Sequence, residues 1–334
     1  MRVWQISTFG LDSLEFTERP TPHPGPGEVL VKIHAISFNY RDLLIVKGLY
    51  SPNLKLPRIP CSDGAGEVTE VGESVSAWKP GDRVAGIFMQ NWLDGPSTPA
   101  KVKGALGGDL DGMLAEYAIL PESGLVAIPE HLSFEEAATL PCAAVTAWNA
   151  LAAGAVKPGA TVLIQGTGGV SIFALQFACL LGARVLGISS DHQKLDRASS
   201  LGLEAGLNYR ETPDWDRWVV EKTDGRGVDL VVEVGGLGTL PRSLRALRMG
   251  GVVAQIGVLA GPGEPISLPI ILHKQARIQG IYVGSRQDFE EMNAAIVRGQ
   301  LRPVEETFPW SQAREVLTLM ENGRHFGKLV LSVE

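Results

Sequence analysis

The stretch Thr161-Val-Leu-Ile-Gln-Gly166-Thr167-Gly168-Gly169-Val170-Ser171 carries the sharpest chemical signal in the chain. An apolar run of strand character leads into three glycines and then into FALQFACLLG, which has helical character. That order suits a pyrophosphate. Gly166 permits a tight turn, Gly168 lets the backbone approach the ligand, and the helix N-terminus offers free amides and the positive end of its dipole. Thr167, Gly168, Gly169 and Val170 are the expected contacts. Ser171 stands where a third glycine is usual, and its small side chain still allows close helix–strand packing. An ordinary glycine-rich turn would fit the same residues, but the strand–helix alternation around it favours a dinucleotide.

The next strand, VLGISSDHQK, bears on which dinucleotide. A site for NAD carries Asp or Glu about twenty residues beyond the glycines, to hold the ribose 2′-hydroxyl. Ser189 and Ser190 occupy that point. Their hydroxyls can donate to a phosphate that a carboxylate would repel, and Lys194 adds charge one turn further on. NADPH is therefore expected. Asp191 argues the other way if its carboxylate turns inward, and the serines with Lys194 would equally serve to cap the following helix.

The elements that position these residues divide by texture. The first third is rich in turns and β-branched runs, such as PHPGPGEVLVKIHAISFN and GDRVAGIF. From about Pro129 the chain becomes helical and then alternates strand and helix, which implies right-handed crossovers and a parallel sheet. Ser133 and Glu136 have capping-box spacing. Trp215 and Trp218 lie on the packing face of a helix in PDWDRWVV. The closing GKLVLSVE reads as a strand returning to the first domain. The expected fold class is α/β, with a β-rich domain from residues 1–123 and 298–334 and an inserted parallel-sheet domain from 124–297. Residues 89–112 read as one long loop that shapes substrate access, a length uncommon without function.

Composition narrows the function classes. The 334 residues are 45% hydrophobic and 20% charged, with a formal net charge of −7. The pI is about 5.5. Neither nucleic acid nor an anionic membrane surface is an expected partner. No apolar run is long enough to span a bilayer and no signal peptide is visible, so a cytoplasmic location is expected. Cys61, Cys142 and Cys179 form no C-x-x-C pair, and His23, His34, His131, His192 and His273 have no ligand-like spacing.

GDRVAG, the strand–GTGGVS–helix, NYR at Asn208–Arg210, GRGVDLVVEVGG and the terminal GKLVL together resemble the medium-chain dehydrogenase/reductase superfamily. The resemblance covers essentially the whole chain and implies a GroES-like substrate domain with an inserted Rossmann domain. Zinc-dependent members carry a ligand Cys where this chain has Asn39 and a ligand His where it has Ser62; only Cys142 falls near a third ligand position. One thiol does not make a zinc site, so no metal is expected. What remains is similar to the zinc-free, zeta-crystallin-like quinone oxidoreductases. In those, residues matching Ser190, Lys194 and Tyr209 surround the 2′-phosphate. The resemblance also assigns Phe326 and Lys328 to the cofactor site and implies a homodimer. Gly257 and Val258, beyond a strand end, suit contacts to nicotinamide.

FNYRDLLIVKGLY is similar to a segment of enoyl reductases in which the residue matching Tyr50 faces substrate. A metal-free site handles conjugate reduction more readily than alkoxide chemistry. The expected substrate is a small electrophile, a quinone or an enone. Tyr50 would supply the proton, Asn39 a hydrogen bond to a carbonyl or a ribose hydroxyl, and Arg41 stabilisation of an enolate. Arg41 with Asp42 equally suits a structural ion pair, and Tyr50 a packed aromatic. Two further readings stay open: a zinc-free alcohol dehydrogenase or carbonyl reductase, and a cofactor-binding redox sensor without turnover.

Overall fold

Strand Glu28–Phe38, EVLVKIHAISF, is buried along most of its length because it has partners on both edges. It pairs antiparallel with Asp63–Val71 on one side and Lys328–Ser332 on the other. Part of it also pairs with Tyr117–Pro121. The sheet continues to Glu305–Pro309 at one edge and through Arg83–Gly86 to Leu125–Ala127 at the other. The computed structural model describes every residue from 1 to 333 apart from Pro52 and Pro262.

Two compact units result: Met1–Val145 with Gly284–Glu334, and Thr146–Val283. The terminal strand does return to the first unit, so the parallel-sheet unit is an insertion. The boundaries differ from those expected. Residues 129–145 and 284–297 share the helical texture of the inserted unit but belong, with 124–128, to the β-rich one. Leu125–Ala127 completes its sheet, and Asn293 on the helix Arg286–Gly299 donates to the Ala127 carbonyl at 3.1 Å. Ser133 caps helix Phe134–Ala138 through the predicted box with Glu136. The core of this unit centres on Val29, Val31, Ile36, Phe38, Leu43 and Leu329.

The inserted unit holds six parallel strands in the order Ala205–Asn208, Arg184–Ser189, Thr161–Gln165, Val228–Glu233, Leu247–Gln255, Arg277–Gly280. Read in chain order this is 3-2-1-4-5-6, the doubly wound arrangement of dinucleotide-binding folds. Its middle strands are buried throughout, as expected of a parallel sheet covered on both faces. The strand order reverses between Thr161–Gln165 and Val228–Glu233. Ligands of such sheets bind beyond the carboxyl ends of the strands at that point. Trp215 is buried, and Trp218 packs against the same core.

Candidate active site

The glycine turn lies at the reversal of strand order. Gly166 has φ +68°, the left-handed region where a side chain would be strained, and the space its Cβ would occupy is open. Gly168 precedes the helix Gly169–Leu180 without any side-chain cap, leaving the first amides of a 12-residue helix for a ligand. Ser171 donates its hydroxyl to the Gln165 carbonyl at 2.6 Å, joining helix to strand where the third glycine was expected.

Ser189 closes the neighbouring strand, and its carbonyl accepts from the Tyr209 amide at 3.0 Å, which brings Ser189 and Tyr209 together. Asp191 is the N-cap of helix His192–Ser200, accepting from the Lys194 amide at 3.2 Å. That role takes up one carboxylate oxygen of the residue that argued for NAD. Burial holds the Lys194 ammonium pKa below its ordinary value. Gly257 donates to the Glu233 carbonyl at 3.2 Å, and Val258 is exposed. All these residues belong to the inserted unit, and the open glycine cradle fits a dinucleotide pyrophosphate.

One buried feature here went unread in the sequence. Glu233, with no solvent exposure, ends the fourth strand of the unit. It accepts from five donors: the amides of Gly235 and Gly236, the hydroxyls of Thr239 and Ser243, and the Gln165 side-chain amide. Gln165 Oε1 in turn accepts from Val234 and Gly235 at 3.3 and 3.4 Å. The two loops at the switch point are thus tied to one carboxylate. Gly236, at φ +81°, leaves room for the Val258 backbone, which an added Cβ would meet at 2.9 Å. The available signal was a polar residue ending each of two largely apolar strands, TVLIQ and VDLVVE, where buried polar atoms require partners.

The remaining predicted residues lie in the β-rich unit. Asn39 precedes helix Tyr40–Val46, and its backbone N–H donates to Asp42 Oδ2 at 2.8 Å. Arg41 donates to the Leu106 carbonyl at 2.9 Å, which anchors the long loop. Its guanidinium also lies over Phe88 and Tyr50, 4.6 and 5.3 Å from the ring centroids. Arg41 Nη1 reaches Asp42 Oδ1 at 3.4 Å, so Arg41 is engaged inside the protein, while Tyr50 is exposed. Lys328 and Phe326 are both buried. Lys328 Nζ donates to the Phe38 carbonyl and to Asn39 Oδ1, each at 2.6 Å, and lies 3.9 Å from Asp63 Oδ2. Ser62 Oγ donates to Asp63 Oδ1 at 2.6 Å, and the Cys142 amide donates to Asp63 Oδ2 at 3.2 Å.

Two carboxylates and two cations are therefore buried together. Burial pushes Asp42 up to about 6, with the Arg41 charge opposing it. Asp63 is also raised by burial, against the pull of Lys328. Asp63 and its pairing with Lys328 were not foreseen, because the two are distant in sequence.

Known proteins supply the family. Residues 25–130 match the profile described as alcohol dehydrogenase GroES-like domain, and residues 169–298 the one described as zinc-binding dehydrogenase. A zinc-type alcohol dehydrogenase-like protein of Schizosaccharomyces pombe is 46% identical over 334 residues, covering 97% of this chain and 96% of that protein. The chain belongs to the medium-chain dehydrogenase/reductase superfamily.

Within this superfamily, acryloyl-coenzyme A reductase of Metallosphaera sedula is 32% identical over 303 residues, 87% of each chain. A solved NAD-dependent alcohol dehydrogenase superposes with a TM-score of 0.91 at 34% identity, covering 100% of both chains. The protein is thus an oxidoreductase of a family that binds a nicotinamide cofactor.

The zinc in the family's description can be tested against the residues. A catalytic zinc takes about three ligands from thiolate, imidazole or carboxylate. Asn39 and Ser62 offer an amide and a hydroxyl, both engaged with neighbours. Burial and the nearby Asp63 carboxylate push the Cys142 thiol up, against thiolate formation. The Lys328 ammonium adds a positive charge that would repel a dication. Among the described residues no three or more His, Cys, Asp or Glu group to hold a metal. These donors do not fit the family's zinc.

Proposed function

We propose that the protein is a zinc-independent, NADPH-dependent oxidoreductase acting on a small quinone or α,β-unsaturated carbonyl compound. The observation that carries this reading is the network at the zinc-ligand positions: Asn39, Ser62, Asp63 and Lys328 bond to one another as an ordered polar chain. Without a Lewis acid, an acceptor that spreads charge from carbon to oxygen is the easier one to reduce.

The bound cofactor would supply hydride. Thr167, Gly168, Gly169 and Val170 would hold its pyrophosphate, and Ser189, Ser190, Lys194 and Tyr209 its 2′-phosphate. Gly257, Val258 and Phe326 would lie along the remainder. Asn39 would donate to the substrate oxygen, and Tyr50 would pass its phenol proton there. Arg41 would act through its field, with Nη1 bonded to the Leu106 carbonyl and to Asp42.

The test is reduction of a cyclic enone and of a saturated aldehyde, each with NADPH and with NADH, with the products identified. A saturated ketone formed preferentially with NADPH is expected. Turnover of the aldehyde alone would move the assignment to carbonyl reduction, a reading that the alcohol dehydrogenase relatives favour. Cofactor binding with no turnover of either would favour the sensor.

We also propose a cytoplasmic homodimer. The outer edge of strand Arg277–Gly280 lacks a partner strand among the described residues, and Leu268 and Leu272 on the preceding helix Leu268–Lys274 are 73% and 74% exposed. A second copy would cover both. A light-scattering mass of one subunit would contradict this. The free cysteines suit a reducing compartment.

A further inference from the structure

Lys328 carries an inference that rests on the reading above, in which Asn39 meets the substrate oxygen. A side-chain amide has an acceptor end and a donor end of nearly the same shape, and its partners decide which way it faces. An ammonium has only donors. Lys328 Nζ, 2.6 Å from Asn39 Oδ1, therefore fixes the acceptor end inward. The ammonium is itself fixed by the Phe38 carbonyl and the Asp63 carboxylate.

The other side of the amide is constrained as well. Asn39 Nδ2 lies 3.4 Å from Ser62 Oγ. The single proton of Ser62 is given to Asp63, so Ser62 can only accept from Asn39. Each link from Lys328 through Asn39 and Ser62 to Asp63 thus runs in one direction. Asn39 is the most accessible of the four, at 8% exposure against 3% for Lys328 and 0% for Ser62 and Asp63.

We propose that Lys328 is a positioning residue that locks Asn39 as a donor, so that the N–H end of its amide and not its oxygen meets negative charge developing on the substrate oxygen. This role differs from the one expected of Lys328 as a direct cofactor contact. A phosphate contact acts on cofactor binding; a lock on Asn39 acts on the rate of the chemical step and works only through Asn39.

A double-mutant cycle separates the two. K328M and N39A should each lower kcat by about 10²-fold, the scale of losing one oxyanion donor. The double variant should be no slower than the slower single variant, with KM for NADPH changed by less than about twofold in K328M. K328R, which keeps a donor-only cation, should recover part of the rate. Additive losses, or a raised KM for NADPH at unchanged kcat, would overturn the proposal. If K328M does not fold because Asp63 loses its cation, K328M/D63N removes both charges and takes its place in the cycle.

A second readout needs no substrate. Hydrogen exchange of the Asn39 side-chain amide, followed by NMR, should be at least about tenfold faster in K328M. Unchanged exchange would overturn the lock. A wild-type protein that reduced no acceptor would refute the proposed function, and the exchange measurement would then decide the role of Lys328.

Discussion

Each unit buries carboxylates beside its candidate site, and the two do so by opposite means. In the inserted unit Glu233 is surrounded by neutral donors, two amides, two hydroxyls and a side-chain amide, with no cation among these hydrogen-bond partners. In the β-rich unit Asp42 and Asp63 are set against Arg41 and Lys328, with fewer hydrogen bonds to satisfy them. A cage of fixed dipoles holds backbone in place, which suits loops that cradle a ligand. Burial raises the carboxyls of Asp42 and Asp63 even against their paired cations, and the pairing keeps a cation where chemistry needs a field.

The largest expected effect comes from breaking the cage. Glu233→Leu strands five donors, and each buried unsatisfied group costs about 1–3 kcal/mol. A loss of at least about 4 kcal/mol is expected by denaturant unfolding. A loss below about 1 kcal/mol would show that these donors find water or other partners and would end the comparison.

Next is Tyr50→Phe, which asks whether the charged region delivers its proton through the exposed phenol. The account expects kcat for the enone to fall about 10²-fold with KM for NADPH unchanged, the ordinary scale for a lost general acid. A rate within about twofold of wild type would leave Tyr50 as a packed aromatic beside Arg41.

Lys194→Ala probes the outer part of the cofactor site. NADPH affinity should drop about tenfold while NADH affinity changes little, as for loss of one charge-assisted contact to phosphate. Equal loss for both cofactors would remove the argument for NADPH.

The smallest effects are in pH. Asp42 is raised from 3.8 to about 6, so its contribution to stability is present below pH 3.8 and is lost as pH rises through 6. Asp229 is opposite. Burial raises it, but hydrogen bonds from Arg226, the Thr161 amide and Arg248 outweigh that and lower it to about 2, so its contribution is present above 3.8 and lost as pH falls through 2. Melting curves of Asp42→Asn should lack the decline between pH 4 and 6, and those of Asp229→Asn the decline below 4. The same pH profile in wild type and both variants would contradict these assignments.

The inserted sheet was legible because its signals are local: a glycine turn between strand and helix, apolar strands, and regular alternation. The substitutions at Asn39 and Ser62 were legible through resemblance to zinc-dependent relatives. The network that joins them was not. Lys328 lies in a motif that points to cofactor, and only the antiparallel pairing of Lys328–Ser332 with Glu28–Phe38 brings it to Asn39. The limits of the two compact units differ from the expected domain limits for a related reason. Helical periodicity reports an amphipathic face but not the unit that covers it, and the segments 129–145 and 284–297 belong to the β-rich unit.

In the proposed function the polar network of Asn39, Ser62, Asp63 and Lys328 takes the place of a catalytic metal. This is tested most directly by enone turnover after exhaustive dialysis against chelator, compared with the same protein given one equivalent of zinc. Equal kcat is expected in both samples, with no stoichiometric zinc retained after desalting. Loss of turnover on dialysis, restored by zinc that stays bound at one ion per subunit, would contradict it.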